Sequence, residues 1–149
     1  MVALIQQTLH VAPLELLQTP RQIRDGQMKR VGKWGENIAG SYLRRQGYVI
    51  EKLNWRAGRL GEVDLILVKH SEKVRVFVEV KTRRGFKNGS PLEAVTLVKQ
   101  NSLYHIAESY LQSIETQHDA AYAVRMDVVG ITFPGDNKPA IIEHVQNAF

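Results

Sequence analysis

Two neighbouring runs rich in β-branched residues, Glu62-Val63-Asp64-Leu65-Ile66-Leu67-Val68 and Val74-Arg75-Val76-Phe77-Val78-Glu79-Val80-Lys81, constrain this chain more than any other stretch. The link between them, Lys69 to Lys73, is short and polar, so the runs read as the arms of a β-hairpin. Side chains alternate across a strand, which puts Glu62, Asp64, Ile66 and Val68 on one face and groups Glu79 and Lys81 with Arg75 and Phe77. Val63, Leu65 and Leu67, with Val74, Val76, Val78 and Val80, form the wholly apolar faces. A turn from His70 to Lys73 pairs Lys69 with Val74, and counting outward sets Asp64 opposite Glu79 and Glu62 opposite Lys81.

Opposed carboxylates, with side-chain carbons about 5 Å apart, repel unless a proton or cation lies between them. Two carboxylates and a backbone carbonyl suit Mg²⁺ or Mn²⁺, hard ions that prefer oxygen ligands, and Lys81 aims an ammonium at the same spot. An amine beside such an ion is a hydrolytic arrangement. The same residues also fit a plainer description, in which Glu79 and Lys81 lie on a solvated strand edge and Glu62 and Lys81 form a surface ion pair. The hairpin alone does not choose between them.

The length of 149 residues accommodates one domain with a genuine core, and a 44% hydrophobic, 23% charged composition is that of a soluble globular protein. The absence of cysteine excludes a disulfide framework, a thiolate nucleophile and a cysteine-zinc site. A net charge of +5 and a pI near 9.6 favour an anionic partner such as nucleic acid. No apolar run approaches the roughly 20 residues of a membrane span, and the first residues lack the charge and cleavage pattern of a secretory signal, so a cytoplasmic location is expected.

Along the chain, residues 1–30 read as an extension, an arm or a short helix broken by Pro13 and Pro20, ahead of a single domain over 31–149. Trp34, Ile38 and Tyr42 recur at helical spacing from Lys33 to Gln46, with Gly47 as the stop, and Glu36 lies on the neighbouring stripe with Ala39, Gly40 and Leu43. That acid either favours an early helical turn through the helix dipole or is carried towards the sheet. Tyr48 to Trp55 reads as a strand, followed by the basic loop Arg56 to Gly61, while Arg83, Arg84 and Lys87 sit just beyond Lys81. These cations fit either phosphate contacts or ordinary solubilising charge.

Ser90-Pro91-Leu92-Glu93 predicts a helix start with a capping box, Thr96 being the alternative start, and the helix runs to about Gln112. Leu92, Val95, Leu103, Ile106 and Tyr110 form its buried stripe. Lys99 falls on that stripe, where snorkelling out of the core is the favoured outcome and a place in a cleft the alternative. Tyr122 to Val129 and Ala140 to Val145 read as further strands, with Pro134 to Asn137 turning between them. The five histidines show no metal-ligand spacing.

The succession of Glu36, Gly61-Glu62-Val63-Asp64-Leu65-Ile66, Val76-Phe77-Val78-Glu79-Val80-Lys81-Thr82-Arg83, Gly89-Ser90-Pro91-Leu92-Glu93-Ala94-Val95, Lys99, Arg125-Met126-Asp127-Val128-Val129 and Asn147-Ala148-Phe149 resembles the YraN-type endonuclease-like family. That family belongs to the restriction-endonuclease-like, PD-(D/E)xK superfamily. The likeness covers residues 30–149 and departs from the superfamily label at Val63, where a proline stands in the motif. It implies an α/β fold, with a central mixed β-sheet containing the hairpin and flanked by helices in the order αβββαβ. It implies Asp64, Glu79 and the Val80 carbonyl as ligands of Mg²⁺ or Mn²⁺, Lys81 as the signature lysine, and Glu36 as a helical acid for a second ion or its water. Arg59, Arg83 and Lys99 would steady a nucleic-acid backbone. The implied activity is metal-dependent endonucleolytic hydrolysis of DNA, branched or flap structures included, with scope for a homodimer. The competing expectation is a non-catalytic nucleic-acid-binding or assembly module that keeps the fold.

Overall fold

The computed structural model describes residues 7–11, 28–87, 89–114, 121–135 and 138–149. In chain order the elements are β1 (Gln7–Val11), α1 (Met28–Arg45), β2 (Val49–Arg56), β3 (Glu62–Lys69), β4 (Val74–Arg84), α2 (Leu97–Ser113), β5 (Ala123–Phe133) and β6 (Ile141–Val145). They build a mixed six-stranded sheet in the order β1-β6-β5-β4-β3-β2, parallel only between β4 and β5. The α/β class, the hairpin and the flanking helices are those expected from sequence. Within the amino-terminal extension, Gln7–Val11 adds the edge strand beside β6. Pro13 and Pro20, His118, and Asp136 and Asn137 of the expected turn lie outside the described residues.

Each helix covers one face of the sheet because each presents one apolar stripe. On one side Val31, Ile38, Ala39, Tyr42 and Leu43 of α1 pack on Leu65, Leu67, Val76, Val78, Val129 and Ile131. On the other, Leu103, Ile106, Ala107 and Tyr110 of α2 pack on Val63, Ile66, Phe77 and Met126. Burying each such large side chain contributes roughly 1.5–3 kcal/mol over leaving it in water. Helix α1 ends as its glycine predicts. Gly47 has φ +87°, the Tyr48 amide donates to the Leu43 carbonyl at 3.1 Å, and the Gly47 amide donates to that of Arg44 at 3.0 Å, a Schellman stop.

The start of α2 differs from the first expectation and follows the second. The Ser90 and Glu93 capping box forms, with the Ser90 amide donating to Glu93 at 2.9 Å and the Glu93 amide to Ser90 Oγ at 3.3 Å. It closes a turn instead of opening a helix, and α2 begins at Leu97 under a Thr96 cap, whose Oγ1 accepts from the Lys99 amide at 3.2 Å. The physical cause is contact across the fold. Pro91 is lodged against Gly130 of β5 so closely that any side chain there would collide with its ring.

Candidate metal centre

The β3–β4 ladder runs from Lys69↔Val74 to Leu65↔Val78, the register obtained by counting outward from the turn. Beyond Leu65 the arms part. There the Val80 amide donates to Asp64 Oδ2 at 2.7 Å, so a side chain occupies the place a β3 carbonyl would take in a continued ladder. An extended residue points its N–H and C=O to the same edge, so the Val80 carbonyl opens towards the Asp64 side. The expected alternation breaks at this point too: Val63 joins Ile66 and Phe77 on the α2 side, whereas Leu65 and Leu67 face α1. The expected Glu62–Lys81 pairing lies outside the ladder, and the Glu62 side chain instead meets Arg56 at 3.4 Å.

Glu79 is buried and sits between two ammonium groups, with Lys81 Nζ 2.9 Å from Oε1 and Lys99 Nζ 3.2 Å from Oε2. The second contact is an ion pair without hydrogen-bond geometry, so buried Oε2 has close positive charge and no hydrogen-bond donor. The Lys99 ammonium donates instead to the Glu62 carbonyl at 2.9 Å. Lys99 therefore does not snorkel outward; it bridges β3 and β4 where they part. Asp64 stands beside this pair with its carboxyl pushed up to about 7, first by burial and then by the Glu79 charge, against the opposing pull of the Val80 amide. Glu36 adds to that rise, and Lys99 reduces it.

Glu36 Oε2 accepts from Asn54 Nδ2 at 2.9 Å and from Lys33 Nζ at 3.4 Å, and Lys33 also donates to Asn54 Oδ1 at 2.7 Å. The Glu36 charge is felt at Asp64, and its Oε2 is already engaged. Asn54 is the partner that sequence reading missed. An asparagine inside a strand was the available signal, and its φ of +47° shows why asparagine stands there. Of the remaining cations assigned to a nucleic-acid backbone, Arg59 lies in the short turn Gly58–Leu60 before β3, and Arg83 near the end of β4 donates to the Gly89 carbonyl and anchors the loop that follows.

Among the described residues no group of three or more His, Cys, Asp or Glu side chains is arranged to hold a metal. Two carboxylates and a carbonyl would leave about half the positions of an octahedral ion to water and substrate, which is how Mg²⁺ is commonly held. Two features of the site match an added dication: the buried Glu79 oxygen without a donor, and an Asp64 carboxyl pushed up to about 7 by burial and by the like charge beside it. The donor set is all oxygen, which suits a hard ion.

Two other buried polar clusters lie outside this centre. Asp127 accepts from Arg125 Nε and Nη2, each at 2.8 Å, and from the Asn147 amide at 3.0 Å, and its Oδ2 lies 2.7 Å from His144 Nε2. Arg75 is fully buried in the central strand and reaches Glu51 of β2 at 2.8 and 3.0 Å, with the Tyr110 hydroxyl donating to the same carboxylate at 3.1 Å.

The model of the Uncharacterised protein family UPF0102 matches residues 35–131. A UPF0102 protein of Caldicellulosiruptor bescii is 40% identical over 122 residues, covering 82% of this chain and 98% of that protein. One from Syntrophotalea carbinolica is 42% identical over 119 residues, 80% and 90% of the two chains, and one from Clostridium botulinum (strain Loch Maree / Type A3) is 38% identical over 121 residues, 81% and 94%. Among solved structures, Pyrococcus furiosus SfsA in complex with Ca²⁺ aligns over 79% of this chain and 63% of its own at 17% identity, with a TM-score of 0.29.

Proposed function

The chain belongs to the UPF0102 family, and from the acids gathered where the hairpin parts we propose that it is a divalent-metal-dependent endonuclease of the PD-(D/E)xK type acting on DNA. The observation that carries this reading is the convergence of Asp64, Glu79 and the Lys81 ammonium at the open end of the β3–β4 ladder, with Asp64 held near pH 7 in want of positive charge.

Asp64, Glu79 and the Val80 carbonyl would hold Mg²⁺ or Mn²⁺, with Glu36 as the partner for a second ion. When bound, such an ion supplies charge neutralisation at a phosphate and acidifies water. Net hydrolysis adds a water oxygen to phosphorus, breaks one phosphorus–oxygen ester bond and delivers the water proton to the departing alkoxide. Lys81, anchored by Glu79 at 2.9 Å, offers its ammonium to the charge that develops on the phosphate oxygens. The net charge of +5 draws the polyanion in, and Arg59 and Arg83 approach the backbone on either side. No described helix is long and apolar enough to cross a membrane. We place the reaction in the cytoplasm.

The test sets purified protein against linear, flap and four-way DNA and against RNA, with Mg²⁺, Mn²⁺ or chelator, beside Asp64→Ala and Lys81→Ala. The expected result is metal-dependent product from DNA that falls at least about a hundredfold in each variant. Salt-sensitive binding without product on any substrate would assign the chain to the non-catalytic module instead. Cleavage that survives both substitutions would place the chemistry elsewhere.

A further inference from the structure

Lys99 already has its ammonium engaged by two groups of the centre. Its Nζ is 2.9 Å from the Glu62 carbonyl and 3.2 Å from Glu79 Oε2, and so ties the first residue of β3 to the buried acid of β4 where no ladder bond joins them. The ammonium comes from the first turn of α2, fastened through the Thr96 cap and by Ser102, whose Oγ donates to the Leu60 carbonyl at 2.5 Å. Glu79 thus has one cation on each oxygen. Oε1 belongs to Lys81 of its own strand and Oε2 to a helix on the far side of the chain.

A dication held by Asp64, Glu79 and the Val80 carbonyl would meet Lys99 as a like charge close to Glu79 Oε2. We propose that Lys99 is a built-in counter-ion of the metal-free centre, a positioning residue that competes with the divalent ion for Glu79 and keeps the carboxylate in place until the ion arrives. The inference rests on the metal centre proposed above. It gives Lys99 a role different from contact with a nucleic-acid backbone. Lys99 holds the parted arms together without metal and opposes metal uptake.

Lys99→Met keeps the length of the side chain and removes its charge. Mn²⁺ is titrated calorimetrically into wild type and variant at about pH 8 in buffers of different ionisation enthalpy, so that any proton Asp64 still releases in the variant, where Lys99 no longer lowers its carboxyl, is counted and separated from the competition for Glu79. Competition between two cations is a coupling free energy, so the variant is expected to bind Mn²⁺ at least about fivefold more tightly. Its metal-free melting temperature is expected to be lower than that of wild type, and saturating Mn²⁺ to close the gap. Uptake by wild type with equal or weaker affinity in a folded Lys99→Met overturns this inference and leaves the metal centre standing. No uptake by either protein overturns both. Should Lys99→Met fail to fold, Lys99→Gln takes its place with the same expectations.

Discussion

Asp64 is the residue on which the centre turns, because it has been moved furthest from its ordinary behaviour. Its carboxyl rises from 3.8 to about 7, burial being the largest cause and the neighbouring Glu79 charge the next. A metal ligand must be a carboxylate, so uptake below that value has to expel a proton. Apparent Mn²⁺ affinity is expected to climb about tenfold per pH unit up to about 7 and then level off. Calorimetry in buffers of different ionisation enthalpy counts the protons, and close to one should leave per ion at about pH 6, against almost none at about pH 8. Affinity that stays flat across this range would remove Asp64 from the ligand set. Asp64→Asn is expected to abolish uptake while leaving the fold intact.

At the scale of elements, the hairpin could be read from sequence because its information is local. A short polar link and two apolar faces fix one register, and a shift of one residue would break the facing of Leu65 and Leu67 with Val76 and Val78 on the α1 side. What escaped the reading depends on partners distant in the chain. The plainer description set Glu79 on a solvated strand edge, yet β4 is a central strand, parallel to β5 and covered on both sides, so Glu79 is buried, as is Arg75 on the same strand, and each draws a partner from another element. The Ser90 signal was genuine as a cap and misleading as a helix start, since Pro91 wedged on Gly130 stops the turn from propagating. His144 carried no recognisable spacing because its partner, Asp127, lies on the neighbouring strand. Helix α1 is seated equally closely: a methyl group at Gly35 would collide with Thr82 Oγ1 of β4. Gly35→Ala is therefore expected to lose about 1–3 kcal/mol in denaturant unfolding despite the better helix propensity of alanine. Adding Thr82→Ala, which removes the Oγ1 and Cγ2 atoms it meets, should restore part of that loss. A neutral or stabilising Gly35→Ala would show that α1 is free to shift, and that Glu36 is not held in position by this contact.

For the whole molecule, the buried acids act on stability in opposite directions. Burial alone would raise Asp127, but His144 and Arg125 outweigh it and hold the carboxyl below its ordinary 3.8; Arg75 and Tyr110 likewise outweigh burial at Glu51 and hold it below 4.5. A lowered folded value means that the unfolded chain takes up protons first. The stability these acids contribute is present above their ordinary values and is lost as pH falls through the folded ones. Asp64 has the reverse sign, because its folded carboxyl binds a proton that the unfolded chain has already released between 3.8 and about 7. Across that window stability declines as pH rises, by an amount on the order of 2–4 kcal/mol, and it flattens above. The metal-free protein is therefore expected to be most stable at about pH 4, where the acid loss from Asp127 and Glu51 meets the loss from Asp64 that begins near 3.8. Urea unfolding followed from about pH 3 to 8 with chelator present measures the curve. Asp64→Asn should erase the decline on the neutral side and leave the acid side alone. Saturating Mn²⁺ should erase it in wild type, since the carboxylate is then neutralised by an ion instead of a proton. A wild-type curve that keeps rising through pH 7 with chelator present would mean that Asp64 is ionised without a cation, and the electrostatic case for a metal at the parted hairpin would fail with it.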